Sequence, residues 1–338
     1  MMKSTLLIHA GTHKTASSYI QGRLLGNEDH LLGGGVKLLN ISKKVGGKKI
    51  LPAILESRDD ALLRSWLGGR SGRHRAFLYS AEQCTQPLLR PGCLEWFLAV
   101  LEEMGFGLKL AFFLRDQPDY MNSMYVQKTK KFYHSIDIST YVEECMHRQP
   151  DWFDYDSMFS SMISESGVDV NFLPYGRQFG DPFERLMALP GWLPQASGEW
   201  LPSANGRVND QPGIKGVCLA LKVSAELNRQ GVDLGRLNHR SRYIRRYLLP
   251  LGWPSDRYFG LREDQVERIR TFYESSNDRF AQKVWSNSSW RAVFRGQKEQ
   301  SLHVLDEATL SAADAREIED LVPVVVEQLR ADSPEAFR

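Results

Sequence analysis

Three places in the chain carry side chains whose types and spacing suit chemistry on an anion. The first is Gly11-Thr12-His13-Lys14-Thr15-Ala16-Ser17-Ser18, between the apolar run Thr5 to His9 and a stretch with Tyr19, Ile20, Leu24 and Leu25 at helical spacing. A helix start leaves backbone N–H groups unpaired. Lys14 adds a cation, and Thr15, Ser17 and Ser18 add hydroxyls, so the turn can form a nest for phosphate or another tetrahedral oxyanion. The same residues also suit a polar strand-to-helix turn with a serine or threonine cap. The ordinary nucleoside-triphosphate loop needs G-x-x-x-x-G-K-[ST], whereas only Gly11 precedes Lys14 here.

The second place is Arg115 with Ser123. Arg115 follows Leu108 to Leu114, an almost wholly apolar run that reads as a central parallel strand. Ligand clefts of α/β folds open at such strand ends. An arginine fork and a serine hydroxyl can converge there on one phosphate, although a lone arginine also suits a surface ion pair. The third place is Glu82, in Ser80-Ala81-Glu82 after the apolar Ala76 to Tyr79. It is expected to face the Lys14 cleft and can act as a general base, a helix cap or an ion-pair partner. His13 is its nearest competitor as base, and His9, on the strand, reads as core.

These residues need a scaffold of strands feeding helices. Thr5 to His9, Arg75 to Tyr79, Leu108 to Leu114 and Val168 to Pro174 read as strands. Leu51 to Leu67 reads as one amphipathic helix, and helices are expected over 94–104, from Pro118 toward Lys131, and over 141–145, 155–164, 182–189, 217–227 and 263–284. Gly33 to Gly47 reads as irregular chain, and 191–213 as a loop or lid. A last helix is expected over 312–329 with Pro323 interrupting it. Strand, tight loop and helix in this order predict an α/β fold, with a central, mostly parallel sheet flanked by helices as a three-layer sandwich.

Composition bounds the remaining possibilities. With 338 residues, 42% of them hydrophobic, the chain can bury a large core, and global disorder is implausible. A formal charge of +2, from 43 basic against 41 acidic residues, excludes a strongly basic coat for nonspecific nucleic-acid binding. Four scattered cysteines without a CxxC pair argue against a disulfide framework or a structural zinc, and no metal is expected. No stretch reaches the roughly 18 apolar residues of a membrane span, so a cytoplasmic protein is expected, with peripheral membrane contact open.

Ile8 to Gln21 resembles the 5'-phosphosulfate loop of sulfotransferases that use 3'-phosphoadenosine 5'-phosphosulfate (PAPS), in their bacterial carbohydrate-type branch, where H-x-G-x-x-K-T-G-T-T-x-x-Q is common. Ala16 replaces a glycine of that pattern and Ser17-Ser18 a threonine pair. Alanine suits the position if it is already helical and is awkward if it needs positive φ. Leu114-Arg115-Asp116-Gln117-Pro118, then Ser123 and Tyr125, is similar to the R-x-x-P-x-x-x-x-S-x-Y element for the 3'-phosphate. Tyr155, Val168 to Arg177 and Asn209 extend the similarity over roughly residues 4 to 290.

The resemblance implies one P-loop-like sulfotransferase domain over 1–295, with 191–260 as lid and substrate-side region, and a helical extension over 296–338. It implies PAPS as donor, its desulfonated product PAP, no metal, and a hydroxyl acceptor on a carbohydrate or glycolipid. Gly11, Thr12, Lys14, Thr15, Ala16, Ser17, Ser18, Arg115 and Ser123 would hold the nucleotide, with Tyr175 and Arg177 near adenine or phosphate. Lys14 would stabilise the bridging oxygen, and Glu82, in a turn resembling Ser-Ser-Glu, would be the base. Lys128, Tyr133, His134 and Trp152 are candidates for a polar glycan groove, as well as for ordinary surface helices with aromatic anchors. The basic stretch Arg236 to Arg246 suits an anionic contact or a solvated helix, and no specific nucleic-acid partner is expected. A kinase of similar fold and a nonenzymatic nucleotide-binding or scaffold protein are the alternatives.

Overall fold

A computed structural model describes residues 3–39, 49–68, 74–148, 150–165, 167–192, 199–202, 212–237, 251–253, 258–286, 288–295 and 310–338. Asn209, most of the 191–213 loop and residues 238–246 of the basic stretch lie outside them. The chain divides into two compact units. One comprises Met1–Asp116, Asp151–Val208 and Glu274–Gln297, the other Gln117–Pro150, Asn209–Tyr273 and Lys298–Arg338.

The first unit is built on a five-stranded sheet. Its strands are β1 (Ser4–His9), β2 (Val36–Leu38), β3 (Ala76–Ser80), β4 (Phe106–Arg115) and β5 (Val168–Tyr175), in the order β2-β3-β1-β4-β5. Every pairing is parallel. Parallel neighbours need crossover connections, which place helices on both faces and bury both faces of the inner strands. The architecture is therefore a mostly parallel central sheet flanked by helices, an α/β three-layer sandwich.

Side chains alternate between the two faces along each strand. Leu7, Leu78, Ala111 and Phe113 pack with Ile20 and Leu24 of helix Ser17–Gly26 and with Phe183 and Leu186 of helix Pro182–Met187. On the opposite face, Phe112 and Phe172 meet Phe159 and Phe280 in an aromatic cluster that extends to Tyr155, Trp285 and Trp290. Lys109 is a buried charge in the middle of β4. Its ammonium is neutralised by Asp169 on β5 and donates to the Pro190 carbonyl at 2.8 Å.

Three local expectations are corrected. The single helix over 51–67 is two, Ile50–Ser57 and Asp60–Gly68. Arg58 turns left-handed at φ 51°, and Asp59 Oδ1 accepts the Leu62 N–H at 2.8 Å, restarting the helix as a cap does. The chain expected to be irregular after Gly33 contains β2, paired to β3. Helix Ala312–Asp332 runs through Pro323 without interruption.

Packing in the second unit explains that last result. Ile318, Val322, Val325, Val326 and Leu329 are buried in one core with Leu219, Val223 and Leu227 of helix Ile214–Arg229. Lys215 also bonds Asp314 at 2.6 Å and Glu317 at 2.5 Å. Together these outweigh an internal proline's cost of about 3 kcal/mol. Among the described residues, no helix is long and apolar enough to cross a membrane.

Candidate functional site

The turn after β1 is held in place by bonds from distant chain. Ala10 N–H donates to the Ala111 carbonyl at 3.1 Å, and the Thr12 hydroxyl donates to the Phe113 carbonyl at 2.8 Å. Thr85 donates to the Gly11 carbonyl at 2.6 Å, Thr15 to that of Thr12 at 2.6 Å, and Arg115 Nη1 to that of Lys14 at 3.3 Å. Thr12 and Thr15 therefore spend their hydroxyl protons on the frame of the loop, whatever their oxygens also accept.

Backbone conformation shapes the concavity. Gly11, Lys14 and Ala16 have φ of 59°, 67° and 63°, and the residues between them do not have positive φ. Such alternation turns successive N–H groups toward one side, as in an anion nest. Ala16 is thus the left-handed N-cap of helix Ser17–Gly26, not a helical residue, and carries the strain its glycine counterpart would avoid. Its side chain supplies no cap, and the first helical bond joins Ile20 N–H to the Ala16 carbonyl at 3.0 Å. The N–H groups of Ser17, Ser18 and Tyr19 lie ahead of that bond.

The floor of the turn also suits an anion. A Cβ at Gly11 would stand 3.2 Å from His9 Nε2 and 3.4 Å from Ser17 Oγ. Both atoms are buried without a hydrogen-bond partner among the described residues. His9 Nδ1 lies 2.8 Å from Ser80 Oγ, and burial lowers the His9 pKa to about 4 against the weaker opposing pull of Glu82. This imidazole is neutral at ordinary pH. Ser17 and the adjacent N–H groups can serve an anion that Lys14 attracts, while Ser18 is exposed.

Glu82 follows the end of β3, where His9 pairs with Ser80 across the sheet. Its Oε1 lies 3.6 Å from His13 Nδ1, and both side chains are about one-third exposed, 31% and 38%. The His13 contact holds the Glu82 carboxyl below its usual pKa. Burial opposes the shift, while Ser17 and Lys14 reinforce it. His13 also stacks on Trp152, with ring centroids 6.3 Å apart and planes 13° apart. The two candidate bases and one candidate substrate residue thus meet, and His13 is not confined to loop packing.

Arg115 is 7% exposed at the end of β4, directly across from Tyr175 on β5. Its guanidinium carbon lies 5.6 Å from the centre of the Tyr175 ring, and Tyr155 donates to its carbonyl at 2.9 Å. Arg177 is exposed beyond β5. Arg185, missed by the sequence reading, lies over Phe113 at 5.8 Å and Phe179 at 5.4 Å and donates to the Pro174 carbonyl.

The remaining candidates belong to the second unit. Ser123, on helix Gln117–Thr129, is 4% exposed, and its hydroxyl has no partner among the described residues. Lys128 Nζ lies 5.0 Å from the Tyr141 ring centre, and His134 stacks on Tyr125 and Tyr141 at 5.2 and 5.6 Å. Burial, then Lys128, lowers the His134 pKa to about 4. Tyr133 is exposed, with Lys131 over its ring.

No family model matches the chain, and no curated protein matches it. A crystal structure of a sulfotransferase from Alicyclobacillus acidocaldarius is similar at a TM-score of 0.40 and 12% identity, over 82% of this chain and 94% of that one. At that level the likeness carries no argument, and function must be read from the site.

Proposed function

We propose that the chain is a sulfotransferase whose Lys14 turn holds the 5' end of PAPS and whose Arg115 engages its 3'-phosphate. The observation that carries this reading is the turn itself: three positive-φ residues, an uncapped helix start and the buried Ser17 hydroxyl, with Lys14 beside them. The bound nucleotide would supply the sulfuryl group for in-line displacement onto a hydroxyl acceptor, of carbohydrate or glycolipid class.

Each residue then has a task. Lys14 and the N–H groups of Ser17 to Tyr19 neutralise charge at the 5' end, in a fixed geometry that needs no rearrangement. Arg115, anchored through the Lys14 carbonyl, ties the two anion-binding ends to one scaffold. Glu82 takes the acceptor's proton on a carboxylate oxygen, held ionised by His13. Trp152 fixes the plane of His13.

Thermal unfolding with PAP, adenosine 5'-monophosphate and ATP tests the nucleotide assignment, because stabilisation follows affinity for the folded state. PAP is expected to raise the melting temperature most. Equal protection by ATP would remove the assignment. A screen for sulfuryl transfer to sugars, glycolipids and small alcohols tests the reaction, and PAP binding without transfer to any acceptor favours the nonenzymatic alternative.

A further inference from the structure

We infer that Arg185 is a second guanidinium for the phosphate that Arg115 engages, and that it makes the protein prefer a nucleotide with a 3'-phosphate over one with a 5'-phosphate alone. The inference deepens the PAPS reading and rests on it. Its basis is the way charge is distributed at the C-terminal edge of the sheet.

Alternation along β4 puts Phe113 and Arg115 on one face, and along β5 puts Leu173 and Tyr175 on that same face. The Phe113 and Tyr175 rings meet edge to face, with centroids 6.5 Å apart. Arg115 lies over the Tyr175 ring and Arg185 over the Phe113 ring. Two guanidinium groups thus flank one ring pair at the ends of neighbouring strands. An arginine keeps its charge at any physiological pH, so Arg185, set over a ring with no paired carboxylate among the described residues, calls for a counter-anion.

The acids on the same helix are already engaged. Asp181, one turn before Arg185, accepts the N–H groups of Phe183 and Glu184 at 2.7 and 3.2 Å as the helix cap. It also accepts the Tyr19 hydroxyl and pairs with Arg23 at 3.1 Å. Glu184 leans toward Arg23 as well, at 3.8 Å. Arg185 itself meets only the Pro174 carbonyl and two aromatic rings, and no carboxylate among the described residues pairs with it. Its ring contacts pre-orient the planar fork, so a phosphate gains a charge-assisted bond at little ordering cost.

Calorimetric titration of PAP and adenosine 5'-monophosphate into the wild type, Arg185→Gln and Arg185→Lys tests the inference. Loss of a charge-assisted contact predicts PAP affinity down about tenfold or more in Arg185→Gln, with adenosine 5'-monophosphate affinity within about twofold. Arg185→Lys, which keeps charge without the fork, is expected between the two and carries the test if the glutamine variant does not fold. Unchanged PAP affinity in both variants, or parallel loss of both nucleotides, overturns the Arg185 assignment while leaving wild-type PAP binding intact. A wild type that does not prefer PAP overturns the nucleotide reading, and this inference with it.

Discussion

Glu82 Oε1 and His13 Nδ1 stand 3.6 Å apart, joining the end of β3 to the turn after β1. The contact gives the carboxylate a lowered pKa, so it is ionised throughout the neutral range. A lowered pKa makes it a weaker base but keeps it in the form that can accept a proton. Trp152 stacked on His13 limits how far the imidazole can turn away.

Replacing Glu82 by Gln should leave PAP affinity unchanged and lower turnover about 10²- to 10⁴-fold, the usual contribution of a positioned base. Replacing His13 by Ala removes the main influence depressing the Glu82 pKa. The acid limb of the pH–rate profile should then move to higher pH. A Glu82→Gln variant with full turnover removes Glu82 as base, and an unmoved limb in His13→Ala removes the coupling.

The left-handed residues of the turn predict opposite responses at two neighbouring positions. Ala16→Gly should stabilise the protein by about 1 kcal/mol, because a side chain at positive φ is strained and glycine is not. Gly11→Ala adds the same strain and places a Cβ 3.2 Å from His9 Nε2, so it should destabilise and weaken PAP binding. Denaturant midpoints measure the first effect, and thermal shifts with PAP the second. An Ala16→Gly variant no more stable than wild type would contradict the assigned backbone geometry.

His9 makes stability depend on pH. Its folded pKa is about 4, below the 6.5 of the free side chain, because burial opposes the charged form. Between those values the unfolded chain binds the extra proton, so stability falls as pH drops from about 6.5 toward 4, by about 3 kcal/mol in total. Ser80 and Phe113 face the ring, and the charge of Glu82 opposes the shift only partly. The depressed pKa of Glu82 adds a loss of the same sign, which begins as pH falls through the usual carboxylate value and continues below it. Urea unfolding of the wild type and His9→Gln at pH 7.5, 6 and 4.5 checks this. A wild type equally stable at all three values would count against it.

Four of the five strands and the Lys14 turn were legible because their signals are local: apolar runs bounded by turn residues, and a cation just ahead of a helix. Arg115 was legible for the same reason, at the end of β4's apolar run. β2, only three residues long, carries too short a run. The φ of Ala16 was not, since alanine at a helix start reads as helical unless the tertiary frame forces it otherwise. The Trp152 contact to His13 spans 139 positions of chain. Arg185 carries no local signal of its own, although Asp181-Pro182 ahead of it marks a capped helix. The break at Arg58-Asp59 was readable in principle, because an aspartate before an apolar stretch is a start signal even inside an amphipathic pattern.

The ties that shape the Lys14 turn come from far along the chain: Thr85 is 74 positions from Gly11, and Phe113 and Arg115 are each 101 from their partners. The sequence that looks most like a ligand site therefore leaves the ribosome well before the residues that frame it. Until β4 docks beside β1, the turn lacks its frame. Nucleotide capture during synthesis would accordingly report the docking of β4, and a chain short of that strand would not hold the ligand prematurely.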